Sequence, residues 1–110
     1  DFASAGQFER HMTEYLAEHP TTRHVCLFAQ PINRIDATGA EVFARVLGQL
    51  HERRVTLLIV GLKLPAERVL RAAGALGEWP LLQMVRTDAE ALAALARLEE
   101  PPADIAAAAI

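Results

Sequence analysis

Residues 55–60 of the chain read Val-Thr-Leu-Leu-Ile-Val and are followed directly by Gly61. Five of these six residues are apolar, and β-branched side chains recur among them, which favours an extended backbone. Continuous hydrophobicity, rather than alternation, is typical of a strand that is covered on both faces of a parallel sheet. The stretch therefore predicts a central strand over residues 55–60, ended by Gly61.

Helical patterns alternate with this strand and with two weaker apolar runs, residues 25–29 and 81–85, which predict two further strands. Helices are predicted after Ser4 (with Gln7 in a capping box), after residue 37, from Pro65 to Gly74, and after Thr87 (with Glu90 in a capping box). The first, second and fourth of these helices each have a predicted inner face. It consists of Phe8, Met12, Tyr15 and Leu16 in the first helix, of Val42, Phe43, Val46, Leu47 and Leu50 in the second, and of Ala91, Leu92, Leu95 and Leu98 in the fourth.

Strands that are separated by helices imply right-handed crossovers and a largely parallel sheet, so the fold class is α/β with about four helices. Three strands make a thin sheet, and the chain opens at Asp1 without methionine. We therefore expect a part of a longer protein, with strands upstream of Asp1 or a strand that ends at Asp1-Phe2. Pro101 and Pro102 break the pattern, so residues 1–100 are predicted to form the domain and residues 101–110 a linker or C-terminal tail, frayed or weakly helical over the alanines.

Composition and charge exclude several classes of function. The 110 residues are 52% hydrophobic and 23% charged, which is the composition of a globular domain. The formal net charge is -3, and neither half of the chain is basic. We therefore predict neither nucleic-acid binding, which needs a positive field, nor attraction to a membrane surface. No apolar stretch is long enough for insertion into a membrane.

The residues that could carry catalysis or bind metal are scattered. Cys26 lies inside an apolar run, which is typical of a buried thiol rather than a reactive one. The four histidines, at positions 11, 19, 24 and 51, are not paired with Cys, Asp or Glu at the spacing of metal ligands. We predict a protein without catalytic residues, metal or cofactor.

Three loops are candidates for function, because open parallel sheets bind partners where strands end and helices begin. They are residues 31–37, 62–65 and 86–87, and the first is the richest. Thr38 stands three residues before Glu41, which is the spacing of a capping box, although Asp36 is an alternative cap. Gly39 allows close approach to the backbone, and the helix end favours an anion. Lys63 makes the second loop a secondary candidate. The alternative interpretation is that the turn at residues 36–39 only caps a helix and that Lys63 is only a solvated lysine.

These patterns together resemble the STAS domain, from Phe2 to about Leu98. The most specific part is the turn Ile35-Asp36-Ala37-Thr38-Gly39, followed by Ala40-Glu41. Further parts are the strand 55–60 with Gly61-Leu62 and the helix end with Leu70, Ala73 and Gly74. The family includes anti-sigma-factor antagonists and the cytoplasmic C-terminal domains of SulP-type sulfate permeases. The resemblance implies a small mixed, largely parallel sheet with helices packed mainly on one face.

The resemblance also implies what the turn does. In antagonists this turn holds a phosphorylated serine or threonine, and Thr38 matches it by position. Antagonists often have two hydroxyl residues in succession, whereas this chain has Ala37 before Thr38 and is more similar to the permeases. The first expectation is thus a regulatory domain of a sulfate or anion permease, at the cytoplasmic face of the inner membrane, with its own transmembrane domain as partner. The alternatives are a free-standing cytoplasmic antagonist, in which Thr38 phosphorylation selects an anti-sigma factor or kinase, and a small nucleotide- or anion-binding module.

Overall fold

The computed structural model describes residues 2–77 and 79–106, in which helices and strands alternate strictly. The helices are α1 (Phe2–Glu18), α2 (Ala37–Glu52), α3 (Leu64–Ala72) and α4 (Asp88–Leu95). The strands are β1 (His24–Phe28), β2 (Thr56–Val60), β3 (Leu82–Val85) and β4 (Ala103–Ala106). The predicted α/β class is confirmed. Across the described residues, no helix has the length and apolar character needed to cross a bilayer.

The described strands form one sheet in the order β3-β2-β1-β4, and every neighbouring pair is parallel. The register places Cys26 of β1 beside Leu58 of β2 and beside Asp104 of β4. The apolar run around residue 58 is confirmed as an inner strand, since β2 has a neighbour on each side and residues 57–60 are buried. The two weaker strand predictions are also confirmed, each within a residue of its predicted bounds.

Three helices cover one face of the sheet. The inner side chains of α1 and α2 are buried there, and the Phe8 and Phe43 rings stack with centroids 5.9 Å apart. Alternate residues of β1 and β2 meet these helices, because successive side chains of a strand point to opposite faces. The main core is therefore a helix–sheet layer, and its largest fully buried side chains include Phe43, Met12, Leu16, Leu27, Leu47, Leu50 and Ile59.

Helix α4 covers the opposite face, where Ala91 and Ala94 pack with Cys26, Leu58 and other residues in a smaller core. The predicted inner face of this helix is partly wrong: Leu92 is 68% exposed, and only Ala91 of the four predicted residues is fully buried. In a helix this rich in alanine, several faces are apolar, so periodicity does not select one. The small alanines face the sheet and allow close approach of the helix.

The C-terminal segment differs from the prediction. Residues 101–110 were predicted to form a linker or tail, but Ala103–Ala106 form β4, which pairs with the outer edge of β1. Ala103 and Ile105 are buried while Asp104 between them is exposed, as expected for a strand with one covered face. The free hydrogen-bonding edge of β1 thus organises a segment with little strand propensity of its own. Residues 107–110, which include most of the alanine run, lie outside the described residues.

The beginning of the first helix was also predicted wrongly. Helix α1 already contains Phe2 and Ser4, so Ser4 does not precede the helix as a cap and Phe2 does not end a strand. A cap residue needs a non-helical backbone, and nothing in Phe2-Ala3 interrupts a helix. Asp1 lies outside the described residues.

Candidate functional site

The turn before α2 is fixed by Asp36 rather than by Thr38. Asp36 has an extended backbone (φ -90°, ψ 176°), and its Oδ1 accepts a hydrogen bond of 2.7 Å from the N–H of Gly39. Its carbonyl accepts from the N–H of Ala40 at 2.9 Å, which begins the helical pattern. Thr38 is therefore the second residue of α2. The predicted capping box of Thr38 with Glu41 is wrong, because Thr38 already has helical neighbours on both sides, and the alternative of Asp36 as cap is confirmed.

The first helical turn presents small side chains to solvent. Ala37 and Thr38 are exposed, whereas Gly39 is buried between them and the core. In the described part of the chain, the Thr38 hydroxyl makes no hydrogen bond to another protein group. The Gly39 N–H was predicted to be available to an external anion, but it already donates a hydrogen bond to the Asp36 carboxylate. What remains open at this helix end is a small contact area made of Ala37 and Thr38, beside the exposed carboxylate of Asp36.

The loops after β1 and β2 meet at the carboxyl edge of the sheet, the edge where β1, β2 and β3 end. The Lys63 ammonium donates a hydrogen bond to Oδ1 of Asn33, which joins the second candidate loop to the first. Gly61 has φ 74°, and a Cβ there would clash with the side chain of Gln30, so the turn after β2 favours glycine. Lys63 is thus engaged with the loop that leads to Asp36. Among the described residues no hydrogen bond or ion pair joins it to Asp36 or Thr38 themselves.

A charged cluster that the sequence patterns did not predict holds the third loop to the same edge. The Glu67 carboxylate accepts from Arg71 at 3.0 Å and from Arg86 at 2.9 Å. Burial raises the pKa of Glu67, but the hydrogen bonds from Arg71 and Arg86 together outweigh it, so the pKa lies below its ordinary value. The spacing of Glu67 and Arg71 along one helix face could have indicated that pair. Arg86, which lies nineteen residues further along than Glu67, has no such signal.

The sequence model of the STAS domain matches residues 1–91. The chain belongs to the STAS family. No curated protein and no solved structure matches the chain. STAS domains occur as C-terminal domains of transporters and as anti-sigma-factor antagonists, and they are in general regulatory rather than catalytic.

The remaining reactive groups of this STAS domain lie apart from the turn. Cys26 is fully buried, and burial together with the nearby Asp104 carboxylate raises the pKa of its thiol to about 11. A thiol with so high a pKa is a poor nucleophile near neutral pH. Within residues 2–77 and 79–106, no three His, Cys, Asp or Glu side chains are grouped as a metal site would require.

Proposed function

We propose that this STAS domain is the regulatory and interaction domain of a SulP-type sulfate or anion permease. In this proposal it lies at the cytoplasmic face of the inner membrane and contacts its own transmembrane domain through the turn Asp36–Gly39. The observation that carries the proposal is the exposure of Ala37 and Thr38 on the first turn of α2, while Asp36 caps the helix. In this proposal Asp36 stabilises the turn, and Ala37 and Thr38 contact the partner.

The shape of the turn supports a protein partner. Ala37 and Thr38 are small, so the backbone of a partner can approach the helix end closely. The loops beside the turn are held by the contact of Lys63 with Asn33 and of Arg86 with Glu67, which makes the carboxyl edge a preorganised surface. The sequence Asp-Ala-Thr-Gly-Ala-Glu over residues 36–41 supports the permease branch over the antagonists.

A second candidate function follows from the free hydroxyl of Thr38. In a free-standing antagonist of the cytoplasm, a kinase would phosphorylate Thr38, and the phosphate would change the affinity for an anti-sigma factor. The cap at Asp36 would survive, because Thr38 takes no part in it. The phosphate would gain from the helix end and lose from repulsion by Asp36, so the domain should stay folded while its surface changes. The third candidate, a nucleotide or anion bound at this turn, has weaker support, because Asp36 already occupies the Gly39 N–H.

The experiment that tests the proposal uses the full-length gene product. Thr38→Glu is expected to reduce sulfate or anion uptake while the amount of folded protein in the membrane fraction is unchanged. The control is Thr21→Glu, which adds the same charge to an exposed threonine in the loop before β1. This loop lies at the amino end of the strands, away from the turn Asp36–Gly39. It is expected to leave uptake unchanged.

Two outcomes would contradict the permease proposal. A full-length protein found wholly in the soluble fraction would favour the antagonist, and phosphorylation of Thr38 by a partner kinase would then be the decisive measurement. If Thr38→Glu altered neither uptake nor partner binding, the turn would be a capped helix end without a role in recognition.

A further inference from the structure

Helix α3 carries two of the three large apolar side chains that are exposed among the described residues. Leu64 is 50% exposed and Val69 is 36% exposed, whereas the third, Leu92, lies on α4. Pro65 and Ala72 are exposed as well, and the helical repeat places both of them next to Val69. Helix α3 therefore has an apolar outer surface in addition to its buried inner face.

Three exposed cations lie around the first turn of this helix, and together with Leu64 and Pro65 they form what we call the basic apolar patch. Lys63 directly precedes α3, and Arg68 follows Leu64 by one helical turn. Arg34 is next to the residue that accepts a hydrogen bond from the Lys63 ammonium. No carboxylate of the described residues lies within salt-bridge distance of these three cations.

The carboxylates of the neighbouring elements do not neutralise this patch. Glu67 already accepts hydrogen bonds from two arginines outside the patch. The charge of Glu41 acts on Arg45, and the acidic residues at the start of α4 lie on the opposite face of the sheet. Three cations therefore stand against the exposed carboxylate of Asp36, in a chain whose formal net charge is -3.

The combination of apolar surface and unpaired cations selects the kind of partner. Exposed apolar surface rimmed by polar groups is typical of a contact surface, and complementary charge determines what can dock there. A second copy that used the same patch would bring like charges together. Attraction to a membrane surface needs a larger cluster, of roughly four to eight cations. The charges therefore favour an acidic segment of a protein.

We propose that the basic apolar patch binds an acidic segment of the partner, in which an apolar side chain packs on Leu64 and carboxylates pair with Lys63 and Arg68. The patch lies beside the turn Asp36–Gly39, because α2 and α3 both begin at the carboxyl edge and contact each other. The inference rests on the proposed function, since it describes the chemistry of the surface that the turn contacts. In the permease, that segment belongs to the part of the protein outside residues 1–110.

Lys63 is the single lysine of the 110 residues, so a cross-linker that reacts with amines reports directly on the patch. A water-soluble carbodiimide joins an amine to a carboxylate in contact with it, and it is applied to membranes that contain the full-length gene product. Mass spectrometry is expected to find an amide bond between Lys63 and an Asp or Glu outside residues 1–110. Lys63→Arg keeps the charge but removes the reactive amine, so it should abolish this cross-link.

Matched variants test the charge and the apolar contact separately. Arg68→Glu should lower the yield of the Lys63 cross-link about tenfold, because it brings like charges together, whereas Arg68→Lys should retain most of it. The control is Arg97→Glu, at an exposed arginine just after α4, which should leave the yield unchanged. Leu64→Ser should lower the yield about fivefold, since the exposed part of that side chain is no longer buried by the partner. Its control is Leu92→Ser on α4, at a leucine that is more exposed and should have no effect.

The outcomes separate this inference from the proposed function. If Thr38→Glu lowers uptake but Lys63 forms no cross-link outside residues 1–110, the turn contacts its partner and the patch does not, which overturns the inference. A cross-link from Lys63 to a second copy of residues 1–110, or a yield insensitive to Arg68→Glu and Leu64→Ser, would overturn it too. If these two variants lowered uptake without any cross-link, the patch would contact lipid phosphates instead of protein carboxylates, and the inference would again be wrong.

The opposite combination would leave the patch intact. If the Lys63 cross-link forms and is lost in Arg68→Glu and Leu64→Ser, while Thr38→Glu leaves uptake unchanged, the patch binds the acidic segment and the turn has no part in it. A wholly soluble gene product would contradict the permease proposal alone, because the same cross-link and variants would then be measured against a separate acidic partner.

Discussion

The assignment of the α2 cap to Asp36 makes a stability prediction that distinguishes Asp36 from Thr38. Asp36→Ala removes the acceptor of the 2.7 Å hydrogen bond from the Gly39 N–H. Loss of such a cap typically lowers the free energy of unfolding by about 1 kcal/mol. For a domain of this size that corresponds to a fall in melting temperature of roughly 4 °C. Thr38→Val removes a hydroxyl that makes no hydrogen bond to residues 2–77 or 79–106, so it should change the free energy by less than about 0.5 kcal/mol.

A third variant separates the hydrogen bond from the charge. Asp36→Asn keeps an oxygen that can accept from Gly39 but removes the negative charge from the positive end of α2. Asparagine and aspartate are comparable caps, so the expected loss is only the helix-dipole contribution, about 0.3–1 kcal/mol. That contribution is screened by salt. The difference between Asp36→Asn and the unsubstituted chain should therefore shrink at high ionic strength, whereas the deficit of Asp36→Ala should largely persist.

The assay is urea unfolding followed by far-ultraviolet circular dichroism, with the slope of each transition compared among the three variants. The expected order of stability places Thr38→Val close to the unsubstituted chain, Asp36→Asn next, and Asp36→Ala lowest. If Thr38→Val proved as destabilising as Asp36→Ala, the hydroxyl would be part of the cap after all. The separation of stability from recognition within this turn would then be refuted.

Three further predictions concern the core and the carboxyl edge. Ile59→Ala should lower the free energy of unfolding by about 2–5 kcal/mol in urea titrations, and Leu58→Ala should fall in the same range; a loss below about 0.5 kcal/mol for both would contradict the assignment of β2 to the core. Because the pKa of Glu67 is lowered in the folded state, its ion pairs stabilise the fold above the ordinary pKa of 4.5, and that stabilisation is lost as the pH falls through the lowered value. The stability difference between the unsubstituted chain and Glu67→Gln should therefore be largest near neutral pH and vanish in acid, and a difference independent of pH would disprove the linkage. The buried thiol of Cys26, with its pKa raised to about 11, should resist alkylation by iodoacetamide at pH 8 until urea unfolds the chain; rapid alkylation of the folded protein would contradict its burial.

The sequence predicted most accurately those elements whose pattern is independent of tertiary context. The run around residue 58 is so uniformly apolar that only an inner strand satisfies it. The stripe on α2 is regular enough to fix the buried face, and all five predicted residues, Val42, Phe43, Val46, Leu47 and Leu50, are buried. In both places the hydrophobic effect and local propensity favour the same structure, so either alone would have sufficed.

Two of the wrong predictions, those of the C-terminal tail and of the buried face of α4, concern segments whose structure depends on a distant neighbour. Ala103–Ala106 become a strand because β1 has an open edge beside them, and two prolines before the segment indicate a break instead. The segment reaches this edge because α4 crosses on the opposite face from α2 and α3. A right-handed crossover on the opposite face steps in the opposite direction along the sheet, which returns the chain from β3 past β2 to the far side of β1. The face that α4 covers was not readable from its alanine-rich sequence.

The candidate site contains features of both kinds, some that pattern and topology predict and some that depend on the folded structure. Parallel topology alone predicts that the loops after β1, β2 and β3 share one edge, and the contacts of Lys63 with Asn33 and of Arg86 with Glu67 follow only from the folded structure. Within the turn, two candidate caps have suitable spacing, Asp36 with Gly39 and Thr38 with Glu41. The choice between them depends on where the backbone becomes helical, and this is set by the buried Ile35 just before the turn and the buried Ala40 just within it. Because core packing selects Asp36, Thr38 is left exposed, and the residue that the sequence marked for function is the one that stability does not require.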